Sequence, residues 1–132
     1  MSYPYDTAFA WPFPSLPVTI YPVGEAAATT TLLALLDTGA DATLVPTDQL
    51  KTIQADELYQ TQIRSHWGEW RPATVHMVDL EIAGQRLPGV EVVADDAGDS
   101  VLLGRNILNR LILLLDGPGV VTDVLARRPS RL

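Results

Sequence analysis

The residues best placed to do chemistry are Asp37, Thr38 and Gly39, followed by Ala40, Asp41, Ala42 and Thr43. They come directly after the apolar run 32–36. Burying a carboxylate costs free energy unless it is hydrogen-bonded or neutralised. An acid delivered from the end of an apolar strand is therefore either a reagent or the cap of a turn. Gly39 permits positive φ and a close approach by another chain. Thr38 offers a hydroxyl to nearby backbone. Taken alone, this triplet reads as an Asx-turn that closes a strand.

A second segment changes that reading. Val101, Leu102 and Leu103 form another apolar run, followed by Gly104, Arg105 and Asn106, then Ile107 and Leu108 at helical spacing. The two segments together resemble the retroviral-type aspartic proteases, the retropepsins. In that family an apolar strand enters Asp-Thr-Gly-Ala, then an acidic residue and a Thr or Ser. Later, two apolar residues and a glycine precede Arg-Asn or Arg-Asp and a helix. The resemblance covers roughly residues 18–115.

The resemblance implies an all-β fold: a small closed acid-protease barrel with one short C-terminal helix, completed as a two-fold homodimer. The chain has a single Asp-Thr-Gly, so the second carboxylate must come from a second copy placed opposite by symmetry. Two carboxylates held close share one proton and titrate as a pair. The ionised member takes a proton from a bound water, and the protonated one bonds the scissile carbonyl. The chemistry needs no metal and no cofactor. By the same resemblance, Asp37 is the catalytic acid and base. Thr38 ties the two active-site loops together across the axis. Gly39 approaches the substrate, with Ala40 and Asp41 beside it. Asp41 forms a structural ion pair with Arg105.

Between the two segments, Trp67, Gly68, Glu69 and Trp70 sit near the tip of an expected hairpin, 59–64 and 71–82. The family places there a flap that closes over peptide. The tip departs from the glycine-rich viral pattern, and a plain cross-strand pair of tryptophans is the simpler alternative. His66 adjoins this tip; it and His76 are the only histidines, without a zinc-binding pattern.

The elements that must position these groups are short strands. They are expected at 18–21, 29–36, 43–45, 87–93, 101–103, 111–115 and 120–125, besides the hairpin. Residues 46–50 read as a turn or one helical turn, and 105–111 as the helix. Val78, Leu80 and Ile82 alternate with Asp79 and Glu81, which places the acids outside. Residues 1–17, rich in proline and aromatics, form an extended arm. The division is thus an arm 1–17, a protease domain 18–116, and a last strand with a basic tail, 117–132. The aromatic-proline bonds Tyr3–Pro4 and Phe13–Pro14 resemble sites that some viral members cut.

Composition sets the limits. The 132 residues point to one domain, with 47% hydrophobic residues, 19% charged and no cysteine. A net charge of −7 opposes nucleic acid and anionic membrane alike. No apolar run is long enough to span a bilayer, and no secretory segment opens the sequence, so cytoplasmic residence is expected. The expected function is an aspartic endopeptidase acting on extended peptide. Its rival is a homodimeric peptide-binding module on the same fold that cleaves weakly or not at all.

Overall fold

The computed structural model describes residues 1–27, 30–64 and 67–130. His66 lies outside the described residues. The chain order is β1 (Ser2–Pro4), β2 (Ser15–Tyr21), β3 (Thr30–Leu36), β4 (Thr43–Pro46), α1 (Thr47–Thr52), β5 (Asp56–Arg64), β6 (Trp70–Ile82), β7 (Gln85–Asp95), β8 (Val101–Leu103), α2 (Arg105–Leu108), β9 (Ile112–Asp116) and β10 (Val121–Leu125).

Six strands close a barrel. The hydrogen-bonded order is β2-β3-β8-β4-β7-β6, and β6 returns to β2 through Val18↔Ile82 to Tyr21↔Asp79. β5 extends the sheet beyond the barrel, paired only with β6. Two pairings are parallel, β3 with β8 and β4 with β7. Parallel strands are buried on both faces, which is why 101–103 and the end of β3 read as unbroken apolar text. Leu16, Val18, Ile20, Val45, Val78, Leu80, Ile82, Val92 and Leu103 fill the interior, and Ile107 of α2 joins them.

Several expected elements shift at their ends. β2 begins at Ser15 because Ser15 and Leu16 already pair with Leu35 and Ala34. α2 stops at Leu108, where the chain turns through Leu111 N–H to Leu108 O at 3.1 Å. Residues 47–52 form a full short helix, α1, holding the buried Leu50. The β6–β7 connection is a two-residue turn in which Ala83 and Gly84 have φ of 52° and 77°, the type I′ geometry that suits twisted hairpins.

One expectation is corrected. Asp79 is 3% exposed rather than open to solvent. It stays on the face opposite Val78 and Leu80, but β7 places an extra residue opposite it, between Leu87 and Val90, and Gly24, Arg86 and Gly89 cover it as donors.

A separate three-stranded sheet, β1-β10-β9, is antiparallel throughout. Tyr3, Leu113 and Val124 pack from it onto the barrel core. The aromatic 1–17 stretch is therefore partly docked: Tyr3 is packed, but Trp11 is 86% exposed. Among the described residues no helix is long and apolar enough to cross a membrane.

Candidate active site

Asp37 leaves β3 at the rim of the barrel, half-buried. Its backbone is fixed on both sides: Asp37 N–H donates to Leu103 O at 3.0 Å, and Ala40 N–H donates to Asp37 O at 3.2 Å. Its carboxylate accepts Gly39 N–H at 3.0 Å. That contact is the Asx-turn expected of the triplet alone. It also orients one carboxylate oxygen.

The loop 37–43 is bolted to the start of α2. Arg105 N–H donates to Ala40 O at 2.8 Å, and Asn106 N–H to Asp41 O at 3.4 Å. One guanidinium nitrogen of Arg105 donates to Thr38 O at 2.8 Å, and the other pairs with Asp41. The Asp41 side chain is 90% exposed, so the ion pair itself contributes little stability. Its effect is geometric: the planar fork of Arg105 sets the loop from two directions.

Sequence reasoning missed two residues of this joint. Thr43 is fully buried. Its hydroxyl donates to Asn106 Oδ1 at 2.8 Å and accepts Gly104 N–H at 3.1 Å. Asn106 Nδ2 in turn donates to Glu91 O at 3.0 Å, tying α2 to β7. The signal was a lone hydroxyl at the head of the apolar strand β4. Gly104 is packed so closely on Ala42 that an added Cβ would overlap its carbonyl.

The hairpin β5–β6 carries the other candidate residues. Arg64 pairs with Trp70, and Gly68 has φ +83° in the turn between the strands. Trp67 lies in that turn rather than opposite Trp70, so the two do not form a cross-strand pair. Trp67 is 88% exposed and Trp70 64%. The Arg64 guanidinium lies 5.9 Å from the Trp70 ring. Glu69 is also exposed. A small apolar cluster of Ala73, Val75 and Val93, joined by Ala42, Leu44 and Ile63, runs from the hairpin to the Asp37 loop. The structure thus unites Asp37, Thr38, Gly39, Ala40, Asp41 and Arg105 in one joint. It leaves Trp67 to Trp70 on a hairpin linked to that joint through the cluster.

Two clefts lie elsewhere. One, of ≈280 Å³, is lined by residues that include Thr47, Glu57, His76 and Asp96. The other, of ≈380 Å³, is lined by residues that include Pro22, Glu25 and Asp56. Neither contains Asp37. His76 is buried, its Nδ1 3.3 Å from Ala55 O. Among the described residues no three His, Asp or Glu side chains converge as metal ligands.

The closed six-stranded barrel is the fold of the retropepsin-like aspartic proteases. The chain belongs to the family described as "gag-polyprotein putative aspartyl protease", whose model matches residues 27–110. Solved structures agree on the fold. The EIAV protease, in complex with the inhibitor HBY-793, is 24% identical, with a TM-score of 0.62 over 79% of this chain and 92% of that one. A retropepsin-like aspartic protease from Rickettsia conorii is 14% identical, with a TM-score of 0.59 over 96% and 92%. The retroviral protease-like domain of Ddi1 from Leishmania major is 19% identical, with a TM-score of 0.55 over 87% and 90%. No curated protein sequence matches the chain.

Proposed function

We propose that the protein is an aspartic endopeptidase that works as a homodimer, each copy supplying one Asp37. The observation that carries this reading is the fixed Asp37: one carboxylate oxygen is held by Gly39 N–H and the loop is latched to α2. A catalytic group needs this kind of preorganised support. In the dimer the two carboxylates share one proton. The ionised Asp37 removes a proton from a water held between the pair, and the water oxygen attacks the scissile carbonyl carbon. The protonated Asp37 hydrogen-bonds the carbonyl oxygen and gives it the proton as charge develops there. The tetrahedral gem-diol collapses when a proton passes to the leaving nitrogen and the C–N bond breaks. Acidic to mildly acidic pH suits this scheme, since one proton must stay on the pair.

Residues 18–116 form the protease domain in this reading, flanked by 1–17 and 117–132. The hairpin with Trp67, Gly68, Glu69 and Trp70 acts as the flap, closing over an extended peptide and excluding water. Ala40, Asp41 and the apolar cluster behind the loop receive its side chains and backbone.

The test is turnover of a diverse peptide library from pH 3 to 7 by wild type and Asp37→Asn, with solution mass measured alongside. Asp37→Asn is expected to abolish cleavage while keeping fold and mass. The exposed Trp67 and Trp70 favour the peptide-binding alternative, because stacking surfaces bind without cutting. Wild type that binds peptide but leaves every bond intact would establish that alternative and exclude the protease.

A further inference from the structure

The back of the hairpin β5–β6 carries chemistry that the Asp37 joint does not use. Ala73 and Val75 pack in the apolar cluster that reaches the Asp37 loop. By the period of two, the side chains of Pro72, Thr74 and His76 share the other face of β6, and all three line the ≈280 Å³ cleft. β5 matches this face through a bulge. Glu57 stands opposite His76 and Gln60 opposite Thr74, because Leu58 is an extra residue in the register. Residues three apart on a regular strand point to opposite faces. The bulge brings Glu57 and Gln60 to the same one, and both line the cleft. Thr47 of α1 and Asp96 after β7 line it too.

The unspent polar groups of this lining are acceptors. The Thr47 hydroxyl donates to the Asp96 carboxylate, and Gln60 Nε2 donates to Thr74 Oγ1 at 2.7 Å, so these donors are used within the wall. His76 is 7% exposed. Its Nδ1, 3.3 Å from Ala55 O, is the protonated nitrogen, since a carbonyl only accepts. Nε2 of the neutral ring is then an acceptor. It has no partner among the described residues and is not sealed from solvent, so it opens into the cleft that His76 lines. Glu57 and Asp96 add two exposed carboxylates, and among the described residues no Lys or Arg lines the cleft.

This pattern selects a cation. Among the described residues no three His, Asp or Glu side chains converge, so a bare divalent ion would lack its donor set. A planar cation with several N–H groups reaches acceptors on separate walls at once, which is the geometry of a guanidinium. The volume falls just below that of sites for drug-sized molecules, and Pro72, Ala73 and Ala94 give apolar surface to an alkyl stem.

We propose that the cleft behind the hairpin binds a guanidinium group on an alkyl stem, held by Glu57, Asp96 and His76 Nε2. The site stands whether or not Asp37 cuts peptide.

The test is an NMR titration of the full chain carrying His66→Gln, which leaves His76 as the sole histidine. The probe is N-acetyl-arginine methylamide. The His76 ring signals should move with a Kd on the order of 1 mM, as suits one small polar ligand. The neutral isostere N-acetyl-citrulline methylamide, at the same ionic strength, should leave them in place. Glu57→Gln and Asp96→Asn alter exposed side chains, so the fold is kept, and each should weaken binding roughly fivefold through loss of a charge-assisted pair. Acetyl-Gly-Gly-Arg-Gly-Gly-amide separates the sources. Affinity equal to that of the single residue supports the site as one for a free guanidinium compound, and tighter binding supports it as one for an arginine within a polypeptide. Ring signals that stay fixed, or that move equally with the citrulline analogue, overturn the site. Binding that survives both Glu57→Gln and Asp96→Asn unchanged also overturns it.

Discussion

At the scale of the residue, Thr43 does with one hydroxyl what two side chains usually share. It accepts from Gly104 and donates to Asn106, holding two segments more than 60 residues apart. Thr43→Val keeps the shape and strands the buried Gly104 N–H, at a cost of roughly 1–3 kcal/mol. Urea unfolding should show a lower midpoint with an unchanged m-value, and Thr43→Ser should recover most of the loss. Gly104→Ala is expected to be worse, about 3 kcal/mol or more, because backbone rather than a movable side chain stands in the way. A thermal melt of that variant checks it. Asp37 and Arg105 were legible because residue type and order announce them. Thr43 and Asn106 were not, since no period or spacing encodes a hydrogen bond across the fold.

At the scale of the element, the extra residue of β7 opposite Asp79 helps make a clamp. Asp79 accepts Gly24 N–H at 3.0 Å, Gly89 N–H at 2.8 Å and the Arg86 guanidinium at 2.8 Å. Arg86 also lies 4.1 Å over the Tyr21 ring, so β2, β6, β7 and the turn after β2 meet at one carboxylate. Burial pushes the Asp79 carboxyl up, but the two backbone donors and Arg86 together hold it below the ordinary carboxylate value. A folded-state value below the unfolded one gives stability that is present above about pH 4 and lost as pH falls through the folded value. Asp79→Asn should therefore flatten the decline of melting temperature between about pH 4 and pH 2, while lowering stability at neutral pH. Calorimetry across that range reads both effects. The alternation 78–82 correctly places Val78, Leu80 and Ile82 in the core. It does not reveal that Asp79, on the other face, is buried, because the groups that cover it, Gly24, Arg86 and Gly89, come from other segments. The parallel pairings and the closing β2–β6 seam were likewise invisible in strand patterns. The resemblance implied a closed barrel but no pairing, since partner choice between distant strands is a property of the whole sheet.

At the scale of the whole molecule, the homodimer reading makes activity a matter of mass action. Specific activity should rise with protein concentration at the start of a dilution series and then level off. Moderate salt should shift the rise to lower concentration by screening the repulsion between two chains of −7. A concentration-independent specific activity would point to a catalytic monomer and remove the basis of the scheme. The terminal segments bear on this too. Tyr3–Pro4 lies inside β1, and Phe13–Pro14 follows the bridge to Asp6, so trimming at either bond requires local unpairing first.

The order of strands around the barrel has a consequence for synthesis. β8 sits between β3 and β4, although it is made more than 50 residues after either. Until residues 101–106 have left the ribosome, Asp37 lacks Leu103 to hold its backbone and Arg105 to latch its loop. A growing polypeptide thereby carries an unlatched Asp37 loop. That loop takes its final geometry only after nearly all of the barrel has been translated.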